Sequence, residues 1–135
     1  MTAKTESVNP ETNQTETDPL RVLFNSPRGV AVVGEGKERV AYVADTNNHC
    51  IRRVDIGESG NVTTIAGDGS VHPGFMDGDG NEARFNYPEG ITAMRIKNEG
   101  DVLYVADTNN HAIRRIFVPK NKKGALEPAP AKTSR

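Results

Sequence analysis

The sequence predicts an all-β protein built from two copies of one short antiparallel unit. The first observation is an internal repeat, because the twelve residues from Tyr42 to Arg53 recur from Tyr104 to Arg115 with eleven identities. The second is the pattern inside each copy, where short apolar and β-branched runs are separated by turn residues and no window shows an apolar period of about 3.6 residues. Self-similarity of this length is typical of solenoids, propellers and related arrays.

Each copy is predicted to form a meander of short strands. Gly34–Gly36 and Asn98–Gly100 close the first hairpin of the two copies, and Thr46–His49 and Thr108–His111 close the second. The predicted strands are Gly29–Val33, Val40–Asp45, Cys50–Asp55 and Asn61–Ala66 in the first copy, and Gly90–Ile96, Val102–Asp107 and Ala112–Val118 in the second. No counterpart of the fourth run follows the second copy, which is therefore predicted to lack its last strand.

The residues that lead into each copy repeat as well. Phe24–Val30 carries the pattern Phe-Asn-x-Pro-x-Gly-Val and recurs as Phe85–Ile91, 61 residues later. Together with the string Leu103–Arg115, these motifs resemble the NHL repeat, and the connection Ile65–Phe85 resembles the long inter-blade link of some members. The resemblance covers about 23–118. It implies four-stranded antiparallel blades of a β-propeller, stacked face to face.

A closed propeller has about 4–8 blades, whereas this chain supplies fewer than two complete ones. We therefore predict an incomplete propeller with disordered tails, since the two ends have too few apolar residues to offset the entropy of ordering. The predicted segments are an acidic polar tail at 1–19, a first blade at 20–67, an inter-blade loop at 68–89, a partial second blade at 90–118 and a basic Pro- and Lys-rich tail at 119–135.

Composition excludes several classes of protein. Seventeen Lys and Arg nearly balance 18 Asp and Glu, so no global field favours nucleic acid or an anionic membrane. A single cysteine, Cys50, excludes an internal disulfide framework and a cysteine-cage zinc site. Met1–Pro19 lacks the apolar run of a secretory signal or membrane span. We expect a cytoplasmic protein with no membrane partner.

The polar residues of the second hairpin are predicted to be structural, because both copies carry them and a catalytic site rarely needs every blade duplicated. The aspartates can accept backbone N–H groups of the turn, and the two asparagines of each turn tolerate left-handed backbone. A catalytic acid or a metal ligand is the alternative. These residues are Asp45, Asn48 and His49 in the first copy and Asp107, Asn110 and His111 in the second.

Two repeated basic pairs are candidates for contact with a ligand, namely Arg52 with Arg53 and Arg114 with Arg115. Because side chains alternate along a strand, only one arginine of each pair faces a given side. The other is expected to pair with a hairpin carboxylate. RNA binding through a basic face, which the resemblance implies for some regulatory NHL proteins, is the alternative.

No other motif predicts chemistry. Asp77–Asn81 has the alternating oxygen donors of a calcium loop, but Glu82 and Pro88 stand where a glycine and a bidentate glutamate are needed, so we predict a surface turn. Cys50 aligns with Ala112, which indicates a small apolar site. Some members of the family are metal-dependent enzymes, yet no ligand set carries over. We predict no cofactor and no metal.

The prediction for function is a non-enzymatic binding or scaffolding module for protein–protein interaction or self-assembly, and a fragment of a larger propeller is an open alternative. Fewer than about three repeats leave apolar faces and strand edges open, and such surfaces recruit partners. The expected partner is protein, either a second copy or another propeller protein. RNA binding, or an enzyme completed by another chain, is the alternative.

Overall fold

The structure, a computed structural model, describes residues 8–9, 14–15, 23–69, 72–120 and 132–134. Within these residues no helix has the length and apolar character needed to cross a bilayer. The strands are β1 Val8–Asn9, β2 Gln14–Thr15, β3 Pro27–Val33, β4 Val40–Asp45, β5 Cys50–Asp55, β6 Val62–Ala66, β7 Gly78–Asp79, β8 Pro88–Ile96, β9 Gly100–Asp107, β10 Ala112–Pro119 and β11 Lys132–Ser134. Single 3-10 turns lie at Gly36–Glu38, Thr46–Asn48, Gly80–Glu82 and Thr108–Asn110.

The first sheet is an antiparallel meander in the order β3-β4-β5-β6. Its strands match the predicted ones to within two residues at each end, and the predicted all-β class is confirmed. A bulge between Pro27 and Gly29 starts the sheet, and a second irregularity lies between Ile51 and Arg52. Bulges of this kind increase the local twist that lets one sheet pack on the next.

The second sheet has the order β7-β11-β10-β9-β8. This corrects two expectations, because the second blade was predicted to lack its last strand and the tail at 119–135 was predicted to be disordered. Lys132–Ser134 supplies the fourth strand, with Ile116 opposite Thr133, and Gly78–Asp79 of the predicted loop adds a fifth. The open edge of β10 offers unpaired backbone groups, and a three-residue strand is too short to show a period in sequence.

The remaining residues of the two predicted tails lie outside the described part of the chain. Within the N-terminal tail only the short pair β1-β2 is described, in which Val8 faces Thr15 and Asn9 faces Gln14.

The core lies between the two sheets, which pack face to face. The repeat shows that they present opposite faces to this contact, because Tyr42 is buried in it whereas the equivalent Tyr104 is 47% exposed. The buried apolar side chains of the core are Val33, Val40, Tyr42, Ala44, Ile51, Ile65 and Ala66 from the first sheet, Ala83 and Phe85 from the connection, and Leu103, Val105, Ile116 and Val118 from the second sheet.

The first strands of the two sheets approach closely at Gly29. A Cβ atom on this residue would lie 2.0 Å from the carbonyl oxygen of Glu89, far inside contact distance. The equivalent Gly90 is exposed, and its Cβ would meet only the Cβ of Ala106 at 3.5 Å. The contact between the blades therefore requires glycine at position 29. The fold of a single chain does not require glycine at position 90.

Candidate functional site

A buried carboxylate organises the second hairpin of the first blade. Asp45 accepts a hydrogen bond at Oδ1 from the backbone N–H of Asn25 (2.8 Å). Its Oδ2 accepts from Asn48 Nδ2 (2.9 Å) and Arg52 Nε (2.8 Å). Asn48 also donates to the carbonyl oxygen of Leu23 (3.0 Å). The cluster fastens the segment before β3 to the β4–β5 hairpin, and it compensates the buried charge of Asp45.

The second blade repeats this cluster. Asp107 accepts at Oδ1 from the backbone N–H of Asn86 (2.8 Å) and at Oδ2 from Asn110 Nδ2 (2.8 Å). Arg114 Nη1 donates to the same Oδ2 at 2.7 Å, and both partners of this ion pair are fully buried. Asn110 also donates to the carbonyl oxygen of Gly74 (2.8 Å). Both oxygens of each hairpin carboxylate thus accept hydrogen bonds from N–H donors of the protein.

Two expectations about the hairpin are corrected. The backbone N–H donors belong to Asn25 and Asn86, which precede each first strand, and not to the turn itself. Left-handed backbone falls on His49 and His111, each with φ 53°, and not on the asparagines. The reason is that the asparagines lie inside a 3-10 turn, so the left-handed residue that ends the turn is the histidine that follows them.

The two repeated histidines lie in different surroundings. His49 is buried at the contact between blades, where its Nδ1 accepts a hydrogen bond from the backbone N–H of Tyr87 (3.0 Å). The two rings meet edge to face, with centroids 4.6 Å apart. His111 occupies the same place in the second blade and is exposed. Only His49 therefore depends on having an unprotonated Nδ1.

Acidification is expected to destabilise the protein partly through His49. Burial lowers the pKa of His49 more than Asp107 raises it, so the unfolded chain, with a pKa of about 6.5, binds a proton that the folded chain resists. Stability should fall as pH drops below about 6.5. Chemical denaturation between about pH 7.5 and 5.5 should show a smaller loss for His49→Asn, which suits left-handed backbone. His111→Asn is the matched control and should follow the unmodified protein; equal pH dependence in all three would contradict the assignment.

The structure separates the four candidate arginines into two kinds. Arg52 and Arg114 are buried in ion pairs with the hairpin aspartates. Arg53 and Arg115, on the opposite face of β5 and β10, make no ion pair with any described residue. The four side chains do not form one basic surface. RNA binding stays a prediction for which Arg53 and Arg115 are the remaining candidates.

The guanidinium of Arg114 contacts both the second blade and the inter-blade connection. Besides Asp107 it pairs with Asp77 (2.9 Å), and its guanidinium carbon lies 5.0 and 4.8 Å from the ring centroids of Phe75 and Phe85. Its Nη atoms also donate to two backbone carbonyl oxygens of the inter-blade connection. The side chain thereby holds the connection against the second blade.

A polar bridge between the blades was not predicted. Tyr42 donates its hydroxyl hydrogen to Asp101 Oδ2 (2.5 Å), and Arg95 forms a two-point ion pair with the same carboxylate at 2.8 and 3.1 Å. Arg95 Nη1 then reaches the carbonyl oxygen of Glu38 in the other blade (2.9 Å). Burial and the hydrogen bond to Asp101 raise the pKa of Tyr42. One feature of the sequence points to this bridge. The two copies carry opposite charges at one aligned position, Arg39 in the first and Asp101 in the second.

The geometry provides no metal centre or activated nucleophile among the residues described. No group of three His, Cys, Asp or Glu side chains within 23–69, 72–120 and 132–134 is placed to share a metal ion. Asp77, from the predicted surface turn, is bound to Arg114. Cys50 is fully buried, and burial raises the pKa of its thiol to about 12, so the reactive thiolate is scarce at neutral pH.

No protein-family model matches the chain. NHL repeat-containing protein 2 of Homo sapiens is 40% identical over 110 residues, which cover 73% of this chain, and its Bos taurus namesake is 39% identical over the same length and share. The chain belongs to the NHL-repeat family. A relative of a different name, Protein SUPPRESSOR OF QUENCHING 1, chloroplastic, of Arabidopsis thaliana, is 34% identical over 105 residues, or 78% of this chain.

These relatives are much longer than this NHL chain, which spans 14% of the human and bovine proteins and 9% of the plant protein. A solved structure of an auxiliary nutrient binding protein from Bacteroides thetaiotaomicron aligns with 94% of this chain and 31% of its own, with a TM-score of 0.55 and 23% identity. At that identity the likeness concerns the fold alone. Each sheet of this chain is an NHL-type propeller blade.

Proposed function

We propose that the chain is a non-enzymatic binding module whose two open blade faces pack against further propeller blades, supplied by a second copy or by another propeller protein. One observation carries the proposal. The contact between the two blades uses one face of each, and the repeat reproduces both faces at the outer ends of the molecule.

The outer face of the second blade reproduces the buried face of the first. Tyr42 and Ile51 lie in the core, and their equivalents Tyr104 and Ile113 are 47% and 61% exposed. Met94, also exposed, stands where the first blade has buried Val33. The surface on which a following blade would sit is therefore already built with the side chains that the internal contact uses.

The outer face of the first blade reproduces the buried face of the second. Ile91 and Ala93 pack against the core, whereas the equivalent Val30 and Val32 are 64% and 53% exposed. A run of exposed apolar residues on an open sheet marks an interaction surface. Since the two outer faces copy the two partners of one buried contact, they are complementary to each other.

Polar groups support the same pairing. Thr46 Oγ1 donates across the internal contact to the carbonyl oxygen of Pro88 (2.7 Å), and the equivalent Thr108 is exposed, with only a 3.5 Å contact to a carbonyl of its own strand. Arg28 and Glu89 occupy equivalent positions and form an ion pair at 3.5 Å between the blades. A head-to-tail pair of copies would again bring Glu89 of one copy to Arg28 of the next.

One part of the internal contact would not be reproduced between copies. Tyr42 meets Asp101 within the chain, whereas in a head-to-tail pair the equivalent Tyr104 would meet Arg39. The two-point ion pair with Arg95 would be missing as well. We therefore expect contact between copies to be weaker than the internal contact, and association to depend on protein concentration.

The glycine pair provides the test. Because Gly29 meets the carbonyl oxygen of Glu89 across the internal contact, Gly90 would meet the carbonyl oxygen of Arg28 of the next copy. Gly90→Ala is expected to abolish concentration-dependent growth in mass, measured by light scattering behind size exclusion. It should leave the circular dichroism and unfolding temperature unchanged, because within one chain the new methyl group has room.

A second variant blocks the other face and gives a matched control. Val32→Asp places a charge on the exposed face of the first blade and should also prevent association. The two variants mixed should form a heterodimer and nothing larger, because each retains one intact face of a heterologous contact. An unmodified chain that stays monomeric at every concentration, or a mixture that never pairs, would contradict association between copies.

Cytoplasmic localisation stays a prediction, and no described residue favours the enzyme alternative.

A further inference from the structure

A cavity of about 530 Å³ opens between the two blades, at the end of the molecule where β3 turns into β4 and β8 turns into β9. Its volume lies in the range of about 300–1,000 Å³ that is typical of small-molecule sites. Both blades contribute to its wall. The cationic side chains that line it are Lys37, Arg53, Arg95, Lys97 and Lys120.

Arg53 differs from every other arginine at the junction of the blades. Its guanidinium forms no hydrogen bond or ion pair with a described residue. Its Nε atom is buried without a partner, as is the Nε atom of Arg114, but the Nη atoms of Arg114 do have partners. Its neighbour Arg52 is paired with Asp45, and Arg95 is paired with Asp101. Arg53 is partly buried on the cavity wall, and none of its side-chain nitrogen atoms is engaged by a described residue. Because polar groups that are withdrawn from water nearly all have partners, this guanidinium is available to an acceptor that comes from outside the chain.

The acidic groups of the wall do not neutralise this site. Burial raises the pKa of Asp55, but hydrogen bonds from Ser59 and attraction by Arg53 together outweigh burial, so this pKa lies below its ordinary value and the carboxylate form is favoured at neutral pH. Its Oδ2 accepts from Ser59 Oγ at 2.7 Å, and it makes no ion pair with Arg53. Glu38 and Glu58 complete the acidic set. Asp101 neutralises Arg95 on the wall formed by the second blade. The other charged side chains among the described residues of that wall are Lys97 and Lys120.

We propose that this cavity binds a small organic anion through a carboxylate or phosphate group, held by Arg53 from the first blade and by Lys97 and Lys120 from the second. A guanidinium donates two parallel hydrogen bonds to such groups, and the lysines add charge on the opposite wall. The three carboxylates on the first wall disfavour a polyanion such as RNA, and they favour a ligand with one or two negative charges.

The experiment is isothermal titration of the full chain with inorganic phosphate and with succinate, at low ionic strength. All titrations use the Gly90→Ala background, so that no second cavity forms between copies and the outcome does not depend on self-association. We expect saturable binding of at least one probe, and the preferred probe distinguishes phosphate esters from carboxylates as the natural ligand class. Arg53→Met should weaken that binding at least tenfold, and Lys97→Ala should weaken it less.

Arg115→Met is the matched control, because Arg115 occupies the equivalent position on the outer face and should not alter the affinity. Circular dichroism verifies the fold of each variant, and if Arg53→Met does not fold, loss of affinity in Lys97→Ala decides the result. Absence of saturable binding with both probes would overturn the proposal. Affinity that is unchanged in a folded Arg53→Met, or lowered equally by Arg115→Met, would do the same.

Discussion

Replacing Arg114 with methionine is expected to lower the free energy of unfolding by about 3–5 kcal/mol, the usual cost of removing one partner of a buried ion pair. The methionine keeps the apolar stem but leaves the fully buried carboxylate of Asp107 without its cation. It also removes the contacts to Asp77 and to the two phenylalanine rings. Urea denaturation followed by circular dichroism measures the change.

Arg115→Met is the control for this experiment, because the next residue of β10 faces the opposite side and is exposed. It should change stability by no more than about 0.5 kcal/mol. The double variant Asp107→Asn with Arg114→Met should recover part of the loss, since it leaves no unpaired buried charge. Equal effects of the two arginine replacements would show that the ion pair does not stabilise the blade.

Replacing Phe85 with alanine is expected to cost about 3–5 kcal/mol, as for other large side chains removed from a core. Phe85 comes from the connection between blades, is fully buried among residues of both sheets, and packs beneath the Arg114 guanidinium. Its loss would leave a cavity at the point where the blades meet. Thermal and urea unfolding both measure the effect.

The repeat again supplies the control, because Phe24 is the equivalent residue of the first blade and is only partly buried, at the edge of a smaller cluster. Phe24→Ala should cost roughly 1–2 kcal/mol, in proportion to the smaller apolar area removed from water. If both replacements cost the same, Phe85 would not hold the two blades together.

Much of the fold could be predicted because two copies of one pattern constrain each other. The strand from Val40 to Asp45 has the predicted bounds, and the structural role of both second hairpins, inferred from their duplication, stays a prediction. Duplication predicts only the features that the two copies share, and it does not predict contacts made by residues that differ between them. The bridge from Tyr42 to Asp101 and Arg95 lies where they differ, so no repeated pattern indicated it.

Other features could not be predicted because their cause lies outside the local sequence. The strand at Lys132–Ser134 forms because β10 presents an open edge, and its three residues have no periodic signal. The left-handed backbone of His49 ends the 3-10 turn Thr46–Asn48, which appears only in the folded hairpin. Arg52 and Arg53 are adjacent arginines, and only the geometry of the sheet shows that Arg52 is the one that forms an ion pair with Asp45.

The burial of Cys50 makes its thiol an internal probe of local opening in the first blade. This residue is the single thiol of the chain, and it is sealed at the start of β5 with a pKa raised by burial to about 12. A thiol reagent can react only during the moments when the hairpin opens, because it needs both access and thiolate. When opening and closing are fast compared with the reaction, the rate of modification therefore measures the fraction of time for which this one hairpin is open, with no label introduced.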